Sequence, residues 1–183
     1  MKKLILSFTT LVLLAFIAVA PKAAEAQWVG YFSNGAFCLG PEIGLPLGYV
    51  NSGGILLGAH GEVAVTRAGT LGDGRLAIAF GLDYWGVSAG DYSITILPIR
   101  AIANYHFALS SKEWDPYVGI GLGLAIVSYS GTNIPTGGSS TPIFVTVDGG
   151  VRYWFSPTLA LRGELGLGYA SEFLNIGLDF ELN

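Results

Sequence analysis

Lysine almost disappears from this chain after its first 26 residues, where Lys112 is the only one left. Charged residues of every kind make up 12% of the 183, whereas soluble globular domains average about 25%. An ordinary solvated surface is therefore excluded, and so is a lipocalin-like exported carrier with a polar outside. Basic charge is short as well. Residues 27–183 hold six Lys and Arg against twelve Asp and Glu, which argues against nucleic acid as a partner. The single cysteine, Cys38, rules out an internal disulfide framework, and it lies too far from the leader to carry a lipoprotein anchor. After the leader no apolar run reaches the roughly 18 residues that a spanning helix needs. If the chain crosses a membrane there, it does so with strands.

The leader reads as a secretory signal. Lys2 and Lys3 precede the apolar run Leu4–Ala20, and Ala24-Glu25-Ala26 supplies a small-x-small cleavage site. An uncleaved anchor is the competing reading, and Pro21 with the small residues after it favours cleavage before Gln27. Two segments follow from this: a signal peptide over 1–26 and one domain over 27–183.

What the domain does contain is glycine, 27 in the whole chain, and 13% aromatics. Their placement is regular. Val118, Ile120, Leu122, Leu124 and Ile126 alternate with Gly119, Gly121, Gly123 and Ala125. Successive side chains of a strand point to opposite faces, so one face is aliphatic and the other nearly empty. A helix with glycine at every second position would lose roughly 1 kcal/mol at each relative to alanine. Further on, Ile143, Val145, Val147, Val151, Tyr153 and Phe155 oppose Thr146, Asp148, Gly150 and Arg152. Leu159, Leu161, Leu165 and Leu167 oppose Ala160, Arg162, Glu164 and Gly166, and Leu174, Ile176, Leu178 and Phe180 oppose Asn175, Gly177, Asp179 and Glu181. An apolar exterior around a narrow interior of small residues and isolated charges is the pattern of a transmembrane β-barrel.

The first half follows the same parity. Strands are predicted over Ala36–Gly48, Ile55–Thr66, Leu76–Val87 and Tyr92–Ala108, with turns at 49–54, 67–75, 88–91 and 109–115. Pro41 and Pro46 weaken the first, because proline gives no ladder donor. The segment 27–34 is an aromatic lead-in whose role the pattern does not reveal. The total is an all-β chain: an eight-stranded, antiparallel, up-and-down transmembrane β-barrel after a cleaved signal peptide. With both ends periplasmic, loops 49–54, 88–91, 130–141 and 170–172 face outward. The outward Tyr84, Tyr105, Phe107, Tyr153 and Phe155 suit an interfacial girdle, with plain β-propensity as the alternative.

Two stretches carry a resemblance. Trp114-Asp115-Pro116-Tyr117-Val118-Gly119-Ile120-Gly121-Leu122-Gly123 and the hairpin Gly149–Glu164, with Tyr153 and Leu159-Ala160-Leu161-Arg162, resemble the small eight-stranded outer-membrane barrels of the OmpA/OmpX kind. They cover roughly the C-terminal half, and the first half agrees in pattern alone. Where that family closes on an aromatic residue, this chain has Leu182-Asn183. The resemblance implies the outer membrane of a Gram-negative bacterium, with outer-membrane lipid and the barrel-insertion machinery as partners, and loop 130–141 as the place to meet an extracellular partner.

The candidate site is the set of inward charges: Glu42, Glu62, Asp83, Arg100, Asp148, Arg152, Arg162, Glu164, Asp179 and Glu181. Charges buried in a narrow lumen must pair, since an unpaired one costs several kcal/mol. Such pairs either fill the barrel or, by exchanging partners, gate a small pore. Filling is favoured, because eight strands leave an interior just wide enough for side chains. Arg152 and Arg162 are expected to meet Asp148 and Glu164. No enzyme is expected. His106 and Ser110 are near in sequence but lack the His-x-Ser pattern of a barrel deacylase, and a lone interior histidine is usually hydrogen-bonded structure. No His/Cys/Asp cluster has metal-ligand spacing, the Gly119–Gly123 repeat has no helix after it to make a phosphate loop, and no cofactor is implied. A non-enzymatic barrel with a structural or surface-interaction role leads, a small pore or ligand-binding barrel follows, and a lipid A-modifying enzyme comes third.

Overall fold

The computed structural model describes residues 29–47, 54–131, 138–168 and 171–182. The signal segment, nearly all of the predicted turn at 49–54 and the middle of loop 130–141 lie outside the described residues. Among the described residues nine strands are present: β1 (Phe37–Pro46), β2 (Leu56–Ala64), β3 (Arg75–Ala89), β4 (Tyr92–His106), β5 (Trp114–Gly131), β6 (Ser139–Ser140), β7 (Ile143–Ser156), β8 (Leu159–Gly168) and β9 (Ser171–Leu182). Each pairs antiparallel with its neighbours in the order β4-β3-β2-β1-β9-β8-β7-β5, and β4 also pairs with β5, which closes the ring. Eight strands make the barrel wall. The two residues of β6 add a short rung beside β5 at Val127 and Ser128.

The predicted parity is the observed one. Along β1 the burial alternates residue by residue, with Cys38, Gly40, Glu42 and Gly44 inside. Ile120 and Leu122 are each 61% exposed on the outer face of β5, while Ala125 on the inner face is buried. Outward aromatics gather at the end of the barrel that carries both termini. There Trp114 packs on Tyr153 at 4.8 Å, Tyr153 on Phe155 at 5.3 Å and Tyr105 on Phe107 at 5.2 Å.

Proline explains where the ladders break. β1 and β9 pair on both sides of Gly40-Pro41 but not across it, because Pro41 has no N–H to give. β3 and β4 skip a rung in the same way opposite Leu97-Pro98. Several boundaries differ from the sequence reading. β5 begins at Trp114 and β9 at Ser171, inside the predicted turns 109–115 and 170–172. β3 begins at Arg75, inside the predicted turn 67–75, and runs on to Ala89, leaving Gly90-Asp91 as a two-residue hairpin turn. Gly90 takes φ 60° there, as primed hairpin turns require. The lead-in differs too, since part of it folds inward. Gly35 N donates to Ala64 O at 3.0 Å, and Phe32 is fully buried with Cys38, Ala64, Ala77, Trp154 and Ala160.

Crowding at Gly121 makes a prediction. A Cβ there would press on the carbonyl oxygen of Ala101 on β4, a backbone atom that cannot swing aside. Gly121→Ala is expected to destabilise by about 1–3 kcal/mol, as overpacking does. A shift of the urea midpoint in detergent micelles measures it, and an unchanged midpoint would contradict the close approach.

At the end away from the termini the parity changes meaning. Continuing outward positions become Gly86 and Ser88, Ser93 and Thr95, Ser128 and Ser130, while the inward ones become Trp85 and Val87, Ile94 and Ile96, Val127 and Tyr129. On these three strands the wall is polar or bare outside and apolar inside, whereas Ile143 on β7 stays 79% exposed. A bilayer's hydrocarbon cannot favour serine over leucine, so on β3, β4 and β5 the apolar outer belt ends below this level.

Candidate functional site

Alternation on every strand sends its polar residues to one place, the lumen. Nine of the ten expected charges join there: Glu42, Glu62, Asp83, Arg100, Asp148, Arg152, Arg162, Glu164 and Asp179 are all buried. Glu181 lies on the inner face beside Cys38, half-buried at the end of the barrel.

Three arginines organise the rest. Arg152 donates to Glu62 at 2.5 Å, to Asp179 at 2.7 Å and to Asp115 at 3.3 Å. Arg162 reaches Glu42 at 2.7 Å, Glu164 at 3.3 Å and Asp179 at 3.3 Å. Arg100 stands 3.0 Å from Asp83, 3.2 Å from Glu42, 3.5 Å from Glu164 and 3.9 Å from Asp148. The expected partnering is therefore corrected. Asp148 lies by Arg100 and not by Arg152 or Arg162, and Arg152 does not pair with Glu164. The reason is register: Arg152 and Arg162 face each other across β7 and β8, so each must look elsewhere for an acid. Arg152 crosses the lumen to β2, and the two guanidiniums share the carboxylate of Asp179 between them.

The network also holds residues beyond the ten expected charges. Asp115 and Tyr117 share the inward parity of Gly119, a signal that was available. Tyr117 Oη donates to Glu164 at 2.8 Å. His106 has Asp115 2.7 Å from Nδ1 and Glu62 3.0 Å from Nε2. Asn104 gives a further bond to Glu62 at 2.7 Å. Thr146 bonds Asp148 at 2.8 Å, and Asn175 is buried on β9. Ser110, weighed with His106 as a nucleophile, is exposed at a turn. His60 lies 3.7 Å from Asp179. Among the described residues no group of His, Cys, Asp and Glu is arranged to hold a metal ion.

The terminal end of the lumen is occupied by the lead-in. The Phe32 ring lies 4.9 Å from the Arg152 guanidinium and 5.0 Å from the His106 ring, and Arg75 donates to the Phe32 carbonyl. No sequence pattern announced this, because 29–36 has neither strand nor helix period. Cys38 is buried in the same layer as a free thiol.

A closed ring of eight antiparallel strands, apolar outside and ion-paired within, has counterparts among solved structures. The fold is that of a small outer-membrane β-barrel. Neisserial surface protein A matches it at TM-score 0.63 and 18% identity, over 80% of this chain and 97% of that one. The N-terminal β-barrel domain of Pseudomonas aeruginosa OprF matches at 0.56 and 16%, over 81% and 98%. The outer membrane protein OprG from the same species matches at 0.57 and 10%, over 86% and 100%. No protein-family model and no curated sequence matches the chain. At such identities the likeness is one of fold.

Proposed function

We propose that the chain is an integral outer-membrane protein of a Gram-negative bacterium, non-enzymatic, with a structural or surface-interaction role and a lumen held shut by its own side chains. The observation that carries this is the network of Arg100, Arg152 and Arg162 with seven buried carboxylates, backed at one end by Phe32. Outer-membrane lipid covers the belt of Ile120, Leu122 and their neighbours, the barrel-insertion machinery delivers the chain after its signal peptide is removed, and loop 130–141 offers the surface to an extracellular partner. No nucleic acid is involved.

Two measurements test the reading. In fractionated cells the protein is expected in the detergent-insoluble outer-membrane pellet, and recovery from the soluble periplasm would sink it. In planar bilayers the protein is expected to give no steady conductance. A large steady current would replace the closed lumen by a pore, in which carboxylates already shared between arginines exchange partners.

A further inference from the structure

The apolar cup at the end of the barrel away from the termini has no use in a wall that is merely closed. On β3, β4 and β5 its outer face is glycine, serine and threonine, while Ile143 and Val145 stay exposed outside it on β7; inside, Trp85, Ile96, Phe144 and Phe173 line a pocket with Asp83 and Arg100 at the floor. The floor is rich in acid. Four carboxylates, Glu42, Asp83, Asp148 and Glu164, crowd one guanidinium within 4 Å, and the next, Arg162, is shared with Asp179. Asp83 is only 2% exposed, yet its Oδ1 has no hydrogen-bond donor among the described residues.

From the cup and its floor together we propose that this mouth binds a small protonated amine with an apolar or aromatic body. An ammonium brings three donors and one positive charge to a layer that has carboxylates to spare. The rings of Phe144, Phe173 and Trp85 take the body, and aromatic faces attract a cation within about 6 Å of their centroids. Phe173 already does so for Arg100, whose guanidinium carbon lies 4.7 Å from its centroid. The Nε of Arg100 also lacks a partner among the described residues, but an anion drawn to it would join four carboxylates. A neutral apolar molecule would fit the walls and leave Asp83 Oδ1 without a donor, although Arg100 holds the other oxygen.

The test uses the whole chain in detergent micelles, with empty micelles as the blank for partition, and 2-phenylethylamine as the probe. Its binding is read by calorimetry and by tryptophan fluorescence, against 2-phenylethanol and 3-phenylpropionate. The amine is expected to saturate at least about tenfold more tightly than the alcohol, the worth of one charge-assisted contact of about 1.4 kcal/mol, and the acid is expected not to bind. Asp83→Asn should remove that advantage. Ile96→Trp should fill the cup and abolish binding of amine and alcohol alike, with circular dichroism showing that the barrel is intact. If Asp83→Asn does not fold, the three-probe series and Ile96→Trp decide alone. Equal binding of amine and alcohol, tighter binding of the acid, or no saturation by the amine would each overturn the proposal. It rests on the barrel fold but not on the closed lumen, so bilayer conductance and amine binding fail independently.

Discussion

Arg152→Ala is expected to lose about 3–5 kcal/mol of barrel stability, the range seen when one partner of a buried ion pair is removed. The upper part of that range applies here. The guanidinium serves Glu62, Asp115 and Asp179 at once, at 2.5, 3.3 and 2.7 Å, and it packs against the Phe32 ring. Truncation leaves three buried acids with less counter-charge, though His106 still touches two of them and Arg162 the third. Arg152→Lys should recover part of the loss, because an ammonium keeps the charge but cannot present the planar fork of a guanidinium. Equilibrium unfolding in urea from lipid vesicles measures all three proteins. A loss below about 1 kcal/mol, the size of an exposed pair, would mean that the lumen is wet enough to solvate the acids.

Leu122→Lys is expected to cost about 2–4 kcal/mol, the penalty for a lysine on the lipid face at the bilayer midplane. Leu122 is 61% exposed and lies midway along the outward aliphatics Val118 to Ile126 of β5. The charge meets hydrocarbon there instead of a carboxylate, so the cause differs from that at Arg152. Three outward positions farther along the same strand, Ser128→Lys should cost only about 0–1 kcal/mol, as near the interface. The same unfolding experiment compares them. Equal penalties at both positions would place the edge of the belt elsewhere and undo the change of polarity seen above Ile126.

Much of the lumen could be read before any fold was known. Glu42, Glu62, Asp83, Asp148 and Asp179 were assigned inward by counting residues in twos, and that succeeds because a strand's side chains alternate without drift. Asp115 and Tyr117 obey the same count, but the turn composition of SSKEWD hides where the strand begins. Arg75 is hidden in the same way, since RAGTLGDGR has turn composition up to its last residue. At Ser93–Ile96 and Val127–Ser130 the alternation keeps its period while its outward residues change from aliphatic to serine and threonine, a change of polarity and not of parity.

The pairing itself was not legible. Parity says which side of the wall a residue faces but not its height or its angle around the barrel, and both depend on register and closure. Register put Arg152 opposite Arg162, a like-charge pair that a count of alternate residues cannot foresee, and closure brought Glu62 of β2 across the lumen to Arg152 of β7. Phe32 shows the same limit from the other side. A segment with no period carries no information about which face it seeks, and only the finished end of the barrel, with Trp154, Cys38 and the Arg152 guanidinium already in place, gave its ring somewhere to go. Composition and alternation thus determined the wall, the belt and the sign of each face, because these depend on neighbours in the chain. The tertiary structure decided the ion partners, the inward lead-in and the acid-floored cup, because each is made of residues that meet only when the ring is closed.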